Sequence, residues 1–169
     1  MHVLFVTSNR IGDAVLSSGL LAWLIESRPQ ARFWIVAGPA AAPLFRAAPR
    51  VERVIALGKR RLGAHWFELW RATVGRRWAL VVDLRGSALA WTLLARERRA
   101  LSPATGVHRV RHLAALFDLA APPAPRLWNT DAERRRAAEL LPPGGPILAL
   151  AAQTLGGVGG LLGRLRGRR

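Results

Sequence analysis

Residues 1–24 read MHVLFVTSNRIGDAVLSSGLLAWL, and the order of events in that stretch decides the fold. Residues 3–7 form a short run that is apolar on both faces, as a strand buried in a parallel sheet requires. Polar Ser8, Asn9 and Arg10 end the run. Over residues 13–26, Val15, Leu16, Leu20, Trp23 and Leu24 recur at helical spacing, and Pro29 stands beyond the predicted end. A buried strand, a tight loop and a helix make the opening of a βαβ unit. Its ligand-facing element is the loop after the strand.

The same alternation continues outward. Residues 32–37, 51–57 and 80–84 read as strands, 98–101 as a short fifth strand and 146–150 as a final one. Between them, residues 40–47, 65–74, 87–97, 107–119 and 130–141 read as helices, with Ser87 expected as an N-cap and Thr130 with Glu133 as a capping box. Pro122, Pro123 and Pro125 mark an extended connector. Strand-helix alternation at this spacing predicts an α/β, Rossmann-like, doubly wound parallel sheet. Ligands of such sheets bind at the carboxyl ends of the strands, which directs attention to residues 8–12, 38–39, 58–63 and 84–86.

Composition narrows the possible chemistry. The chain has 169 residues, 51% of them apolar, no cysteine and a formal net charge of +16. It is long enough to bury a core and too apolar for a disordered chain. Without cysteine there is no disulfide scaffold, thiol nucleophile or thiolate metal site, and the composition fits a reducing compartment. No uncharged apolar run reaches the ~18 residues of a membrane span. Residues 46–111 hold 15 basic and 4 acidic groups, a local excess of +11. Lys59 is the only lysine. A G+C-rich coding sequence accounts for arginine over lysine, but not for the excess over acids. That excess points to a polyanionic partner such as a phosphorylated glycan, a nucleotide, nucleic acid or an anionic membrane surface.

Gly12-Asp13 is the motif with chemical content. The loop has one glycine where a dinucleotide fingerprint needs three. Gly12 permits close approach to the backbone, and Asp13 at a helix start sits where free N–H groups favour a carboxylate. Such a carboxylate can take the proton of a sugar hydroxyl as it attacks an anomeric carbon, or it can simply cap the helix. Spacing alone favours the cap. Arg10, Lys59, Arg60 and Arg61 are candidate phosphate contacts on strand-end loops, or else a solvated charge run. Arg85 either meets the same ligand or pairs locally with Asp83. His108 and His112 have a metal-compatible i, i+4 spacing, but no HExxH motif or third ligand accompanies them, and helix surface is the better reading. Trp66 and Trp70 share an apolar helix stripe and read as core.

The blocks TSNRIGDAVLSSGLLAWL (7–24), ARFWIVAGPAAAPLF (31–45), VERVIAL (51–57), ALVVDLRGS (79–87) and VHRVRHLAALFDL (107–119) together resemble the N-terminal half of glycosyltransferase family 9. These are the heptosyltransferases of lipopolysaccharide core synthesis. The resemblance implies the N-terminal, acceptor-binding domain of a GT-B fold over residues 1–150. It implies inverting transfer from an ADP-heptose co-substrate, with no metal and no other cofactor. It makes Asp13 the catalytic base and Arg10, Lys59, Arg60, Arg61 and Arg85 acceptor-binding. The implied partner is a phosphorylated lipid-linked glycan. The implied location is cytoplasmic, with peripheral contact to the anionic inner-membrane surface and no specific nucleic acid. The alternative is a non-enzymatic basic module for anionic membrane or nucleic acid.

Residues 151–169, AAQTLGGVGGLLGRLRGRR, depart from that pattern. No helical period survives their glycines, and neither GxGxxG nor GxxxxGK[ST] fits. They are expected to be a disordered or frame-shifted tail where the family continues into a donor-binding domain, leaving a truncated chain inactive alone.

Overall fold

The computed structural model describes residues 1–58, 63–102, 106–141 and Gly144. The chain divides into two compact units, Met1–Arg134 and Arg135–Arg169. The first is built on five strands: β1 (His2–Val6), β2 (Arg32–Ala37), β3 (Val51–Ala56), β4 (Trp78–Asp83) and β5 (Ala95–Ala100). They pair in the order β3-β2-β1-β4-β5, every pair parallel. The helices are α1 (Ile11–Ser27), α2 (Ala64–Thr73), a one-turn α3 (Leu89–Thr92), α4 (Arg109–Ala115) and α5 (Asp131–Leu140), with a 3-10 turn at Ala42–Phe45. Of the second unit, the described residues carry the end of α5 and an Arg136–Glu139 ion pair at 3.1 Å. Among the described residues no helix is long and apolar enough to cross a membrane.

The period of two along each strand splits the core into two layers. Val3 and Phe5 of β1, with Phe33 and Ile35 of β2, pack against Leu20, Leu21 and Leu24 of α1. Leu4 and Val6, with Trp34 and Val36, face Leu69 of α2 and Leu89 of α3. Apolar residues on both faces of β1 therefore mark a central strand covered on both sides, as expected. The order reverses between β1 and β4, and that reversal opens the crevice where doubly wound sheets place ligands.

Several boundaries move, each for a physical reason. Helix α1 starts two residues before Asp13, because Arg10 is the extended N-cap residue (φ −81°, ψ 133°). The helix expected over 87–97 is a single turn. Ser87 does not cap it; its N–H and hydroxyl both bond to Asp83. Residues 95–100 instead pair with β4, from Trp78↔Ala95 to Asp83↔Ala100. Sheet pairing here overrides the helix preference of an Ala-Arg-Glu-Arg-Arg-Ala run. The helix expected over 40–47 is only the 3-10 turn, and that over 107–119 only Arg109–Ala115. The capping box holds: Glu133 Oε2 accepts from the Thr130 N–H at 2.7 Å and the hydroxyl at 2.9 Å, and Thr130 Oγ1 accepts from the Glu133 N–H at 3.2 Å. The strand expected at 146–150 and the tail at 151–169 lie outside the described residues.

Two contacts hold the front of the sheet in place. The proline connector crosses α1 at Gly19, where a Cβ would lie 2.4 Å from the Pro123 carbonyl oxygen. Beside it the Arg126 N–H donates to Ser18 Oγ at 2.9 Å. At Gly38 a Cβ would come within 2.6 Å of Asn9 Cα, so this glycine lets the loop after β2 back directly onto the loop after β1.

Candidate functional site

The loop from Thr7 to Arg10 follows β1 at the crevice, and local bonds shape it. Thr7 is fully buried, and its hydroxyl meets Ser17 Oγ at 2.7 Å, tying the strand end to the second turn of α1. Ser8 Oγ accepts the Arg10 N–H at 3.2 Å and donates to Asp13 Oδ2 at 3.3 Å. Asp13 is half-buried in the first turn of α1. It is not the capping residue, and among the described residues it forms no ion pair. Among the described residues the long Ser8 bond is the one hydrogen bond to its carboxylate. Arg10, Gly12, Asp13, Val15 and Leu16 line one shallow hollow. A Cβ built on Gly12 meets nothing within 4 Å, so the fold itself does not demand glycine there.

The second carboxylate at the crevice behaves oppositely. Asp83, at the end of β4, is fully buried. Its Oδ1 accepts the Arg85 N–H at 2.9 Å; its Oδ2 accepts the Ser87 N–H at 2.8 Å and the Ser87 hydroxyl. Every bond holds the loop after β4, so Asp83 is an architectural group. Of the two carboxylates, only Asp13 is free to take a proton from a ligand.

Arg85 joins the two loops. Its Nε donates to the Thr7 carbonyl at 2.7 Å, and its Nη2 donates to Asn9 Oδ1. Its guanidinium lies 5.5 Å from the centre of the Trp66 ring. Burial pushes the Arg85 pKa below the ordinary arginine value, and the Asp83 charge offsets part of that shift. The local tie to Asp83 is made by the Arg85 backbone N–H, while the guanidinium bonds the loop after β1. Arg109, which sequence reasoning passed over, reaches the same region through Nη2 to the Leu84 carbonyl at 3.3 Å. Among the described residues its buried Nε has no hydrogen-bond partner. The only signal for it was its place inside the block at 107–119.

The structure brings Arg10 and Asp13 to one hollow and ties Arg85 to their loop. Lys59, Arg60 and Arg61 lie outside the described residues. His108 is the exposed N-cap residue of α4 and His112 is half-buried. Among the described residues no group of His, Cys, Asp and Glu is placed to hold a metal ion. Trp66 and Trp70 are partly buried against the second core layer, as read.

No family model and no curated protein matches the chain. Comparison with solved structures is decisive for the architecture. The fold is the one seen in glycosyltransferase family 9 structures. The family 9 glycosyl transferase from Veillonella parvula DSM 2008 superposes with a TM-score of 0.62 at 16% identity, over 82% of this chain and 48% of that one. The ADP-heptose lps heptosyltransferase II of E. coli gives 0.57 at 17% identity, over 83% and 50%. The E. coli heptosyltransferase WaaC, solved with ADP, gives 0.55 at 18%, over 85% and 55%. The chain spans about half the length of these structures. The expected α/β Rossmann-like architecture is therefore present, and the likeness is one of fold.

Proposed function

We propose that this chain is the acceptor-binding domain of a heptosyltransferase-like inverting glycosyltransferase, with Asp13 as general base. The observation that carries the reading is the contrast of the two crevice carboxylates. Asp13 stands open beside a glycine that the fold does not require, while Asp83 is fully engaged. In the proposed reaction a hydroxyl of the acceptor sugar attacks the anomeric carbon of a nucleotide-linked heptose. Asp13 takes the hydroxyl proton, the new C–O bond forms on the face opposite the departing oxygen, and the nucleoside diphosphate leaves with the electrons of the broken bond. A positioned base of this kind contributes about 10²–10⁴ in rate.

Arg10 lies beside Asp13 and is assigned to an acceptor phosphate. Arg85, Lys59, Arg60 and Arg61 are assigned on the resemblance alone. The proposed acceptor is a phosphorylated lipid-linked glycan, met at the cytoplasmic face of the inner membrane. Transfer needs a donor domain facing this one, because both substrates must be held for their atoms to meet. Alone, the chain is proposed to bind acceptor without transferring sugar.

The test fuses the second domain of a family 9 heptosyltransferase to this chain and assays transfer from ADP-heptose. The fusion is expected to be active and its Asp13→Ala form to lose about 10²–10⁴ in kcat. Equal activity in the two fusions would remove Asp13 from the mechanism. Binding that follows net charge alone, with no preference for the glycan, would favour the non-enzymatic basic module.

A further inference from the structure

The strongest unassigned feature lies at the opposite pole of the sheet from the crevice, where the strands begin. Trp78, the first residue of β4, pairs with Ala95, the first of β5, so Arg77 and Arg96 flank the opening rung. Arg96 and Arg98 alternate onto one face of β5. All three arginines line a hollow of about 560 Å³ together with Met1, His2 and Leu94. That volume falls within the range of small-ligand sites, roughly 300–1,000 Å³.

Among the described residues no carboxylate lines this hollow. Glu97 is turned to Arg28 at 3.6 Å and Arg99 at 3.0 Å. Glu52 pairs with His2 at 3.4 Å, with Arg32 at 4.0 Å and with the Trp34 Nε1–H at 3.2 Å. Arg98 is half-engaged, donating to the Ala90 and Leu93 carbonyls. Arg77 and Arg96 are exposed and have no side-chain partner among the described residues. Arginines that line one hollow with no carboxylate in its lining favour a bound anion. Phosphate fits best, because the planar donor fork of arginine matches its oxygens. Leu94 is 65% exposed and Met1 55%, which gives the rim an apolar contact for whatever carries the phosphate.

We propose that this hollow, with Arg77 and Arg96 as its principal ligands, is a phosphate-binding site separate from the crevice. The length of β4 separates them by about 17 Å at the usual strand rise. The site stands whether or not the chain serves a glycosyltransferase.

The experiment uses the ¹⁵N-labelled full chain. Amide and arginine Nε resonances are followed against inorganic phosphate. In a second arm, co-sedimentation is measured with phosphatidylglycerol vesicles and with phosphatidylcholine vesicles. Shifts at Arg77, Ala95 and Arg96 with phosphate assign a free phosphate group. Sedimentation with phosphatidylglycerol alone assigns a lipid headgroup. In either case R77Q/R96Q is expected to weaken binding about tenfold or more, since each arginine supplies charge-assisted bonds. The charge-matched variant R71Q/R135Q is expected to bind like the parent. Silence in both arms, or equal loss in the two double variants, overturns the proposal.

Discussion

Asp83→Asn isolates the assignment of the two carboxylates. The side chain is fully buried and accepts two backbone N–H groups, at 2.9 and 2.8 Å, and one hydroxyl. Asparagine keeps the shape but offers only one acceptor atom. If its oxygen stays with Ser87, its amide faces the Arg85 N–H, donor against donor. If it turns, the Ser87 hydroxyl can rotate to accept, and the Ser87 N–H is orphaned. Either way one buried N–H loses its partner, at about 1–3 kcal/mol. The bonds that remain lose the charge that made them roughly twice as strong as neutral ones. The sum is about 2–4 kcal/mol, a large part of a typical stability of about 5–15 kcal/mol.

For a chain of this size each kcal/mol moves the melting temperature by about 2–4 °C, so D83N is expected to melt about 4–16 °C lower. Asp13→Asn gives the contrast. It removes one long bond and a favourable position near a helix N-terminus, together about 1 kcal/mol or less. Thermal unfolding followed by far-UV circular dichroism, with urea titration as a check on slope, measures both. A D83N that melts within about 2 °C of the parent, or a D13N that falls as far as D83N, refutes the division into architectural and open carboxylates.

Gly19→Ala would normally stabilise a helix by about 1 kcal/mol, but its Cβ would meet the Pro123 and Ala124 carbonyl oxygens at 2.4 and 2.6 Å. Overpacking of about 1–3 kcal/mol is expected to win, and a raised urea midpoint would show that the connector does not cross there. Arg98→Ala is expected to cost about 2–3 kcal/mol by leaving the buried Ala90 and Leu93 carbonyls unpaired, while Arg96→Ala stays within about 0.5 kcal/mol. Equal urea midpoints for the two variants would contradict this. The backbone bond from Thr130, followed by its hydroxyl, holds Glu133 below the ordinary glutamate pKa. A depressed folded-state value means that its support for α5 is complete above the unfolded pKa and is lost as pH falls through the folded one. NMR should therefore find Glu133 titrating below the ordinary range, with faster amide exchange in the first turn of α5 beneath that point; an ordinary midpoint would count against the capping box.

Where local pattern and tertiary environment agree, the chain is readable in advance. Residues 3–7 are apolar on both faces because β1 is central, and the capping box at Thr130 and Glu133 forms as written because its four atoms lie within one turn. The reading fails where distant pairing decides. Residues 98–101 read as a strand in advance, but Ala95, Arg96 and Glu97 read as the end of a helix, and they join that strand because β4 offers a ladder. At the site, Gly12-Asp13 is legible from its place after a strand. The Arg85 link to Thr7 and Asn9 joins residues more than seventy positions apart, and no local period encodes it. Gly38 reads as a chain break, but its small size matters because Asn9 packs upon it.

The basic excess over residues 46–111 also changes meaning once side chains are placed. Arg50 donates to the Ile25 carbonyl near the end of α1, where a cation also favours the helix dipole. Arg85, Arg98 and Arg109 cap carbonyls of Thr7, Ala90, Leu93 and Leu84. Arg53 and Arg76 lie 4.9 and 4.6 Å from the centre of the Trp34 ring. Part of the positive charge is thus tied to carbonyls and ring faces of the fold, a use that suits guanidinium groups better than lysine, whose compact ammonium lacks the planar fork. Two places stand out for ligands: Arg10, outside this segment, at the crevice, and Arg77 with Arg96 at the opposite pole. Two separated clusters call for two separate anions, which is why the crevice and the hollow at the strand starts are assigned different ligands and different tests.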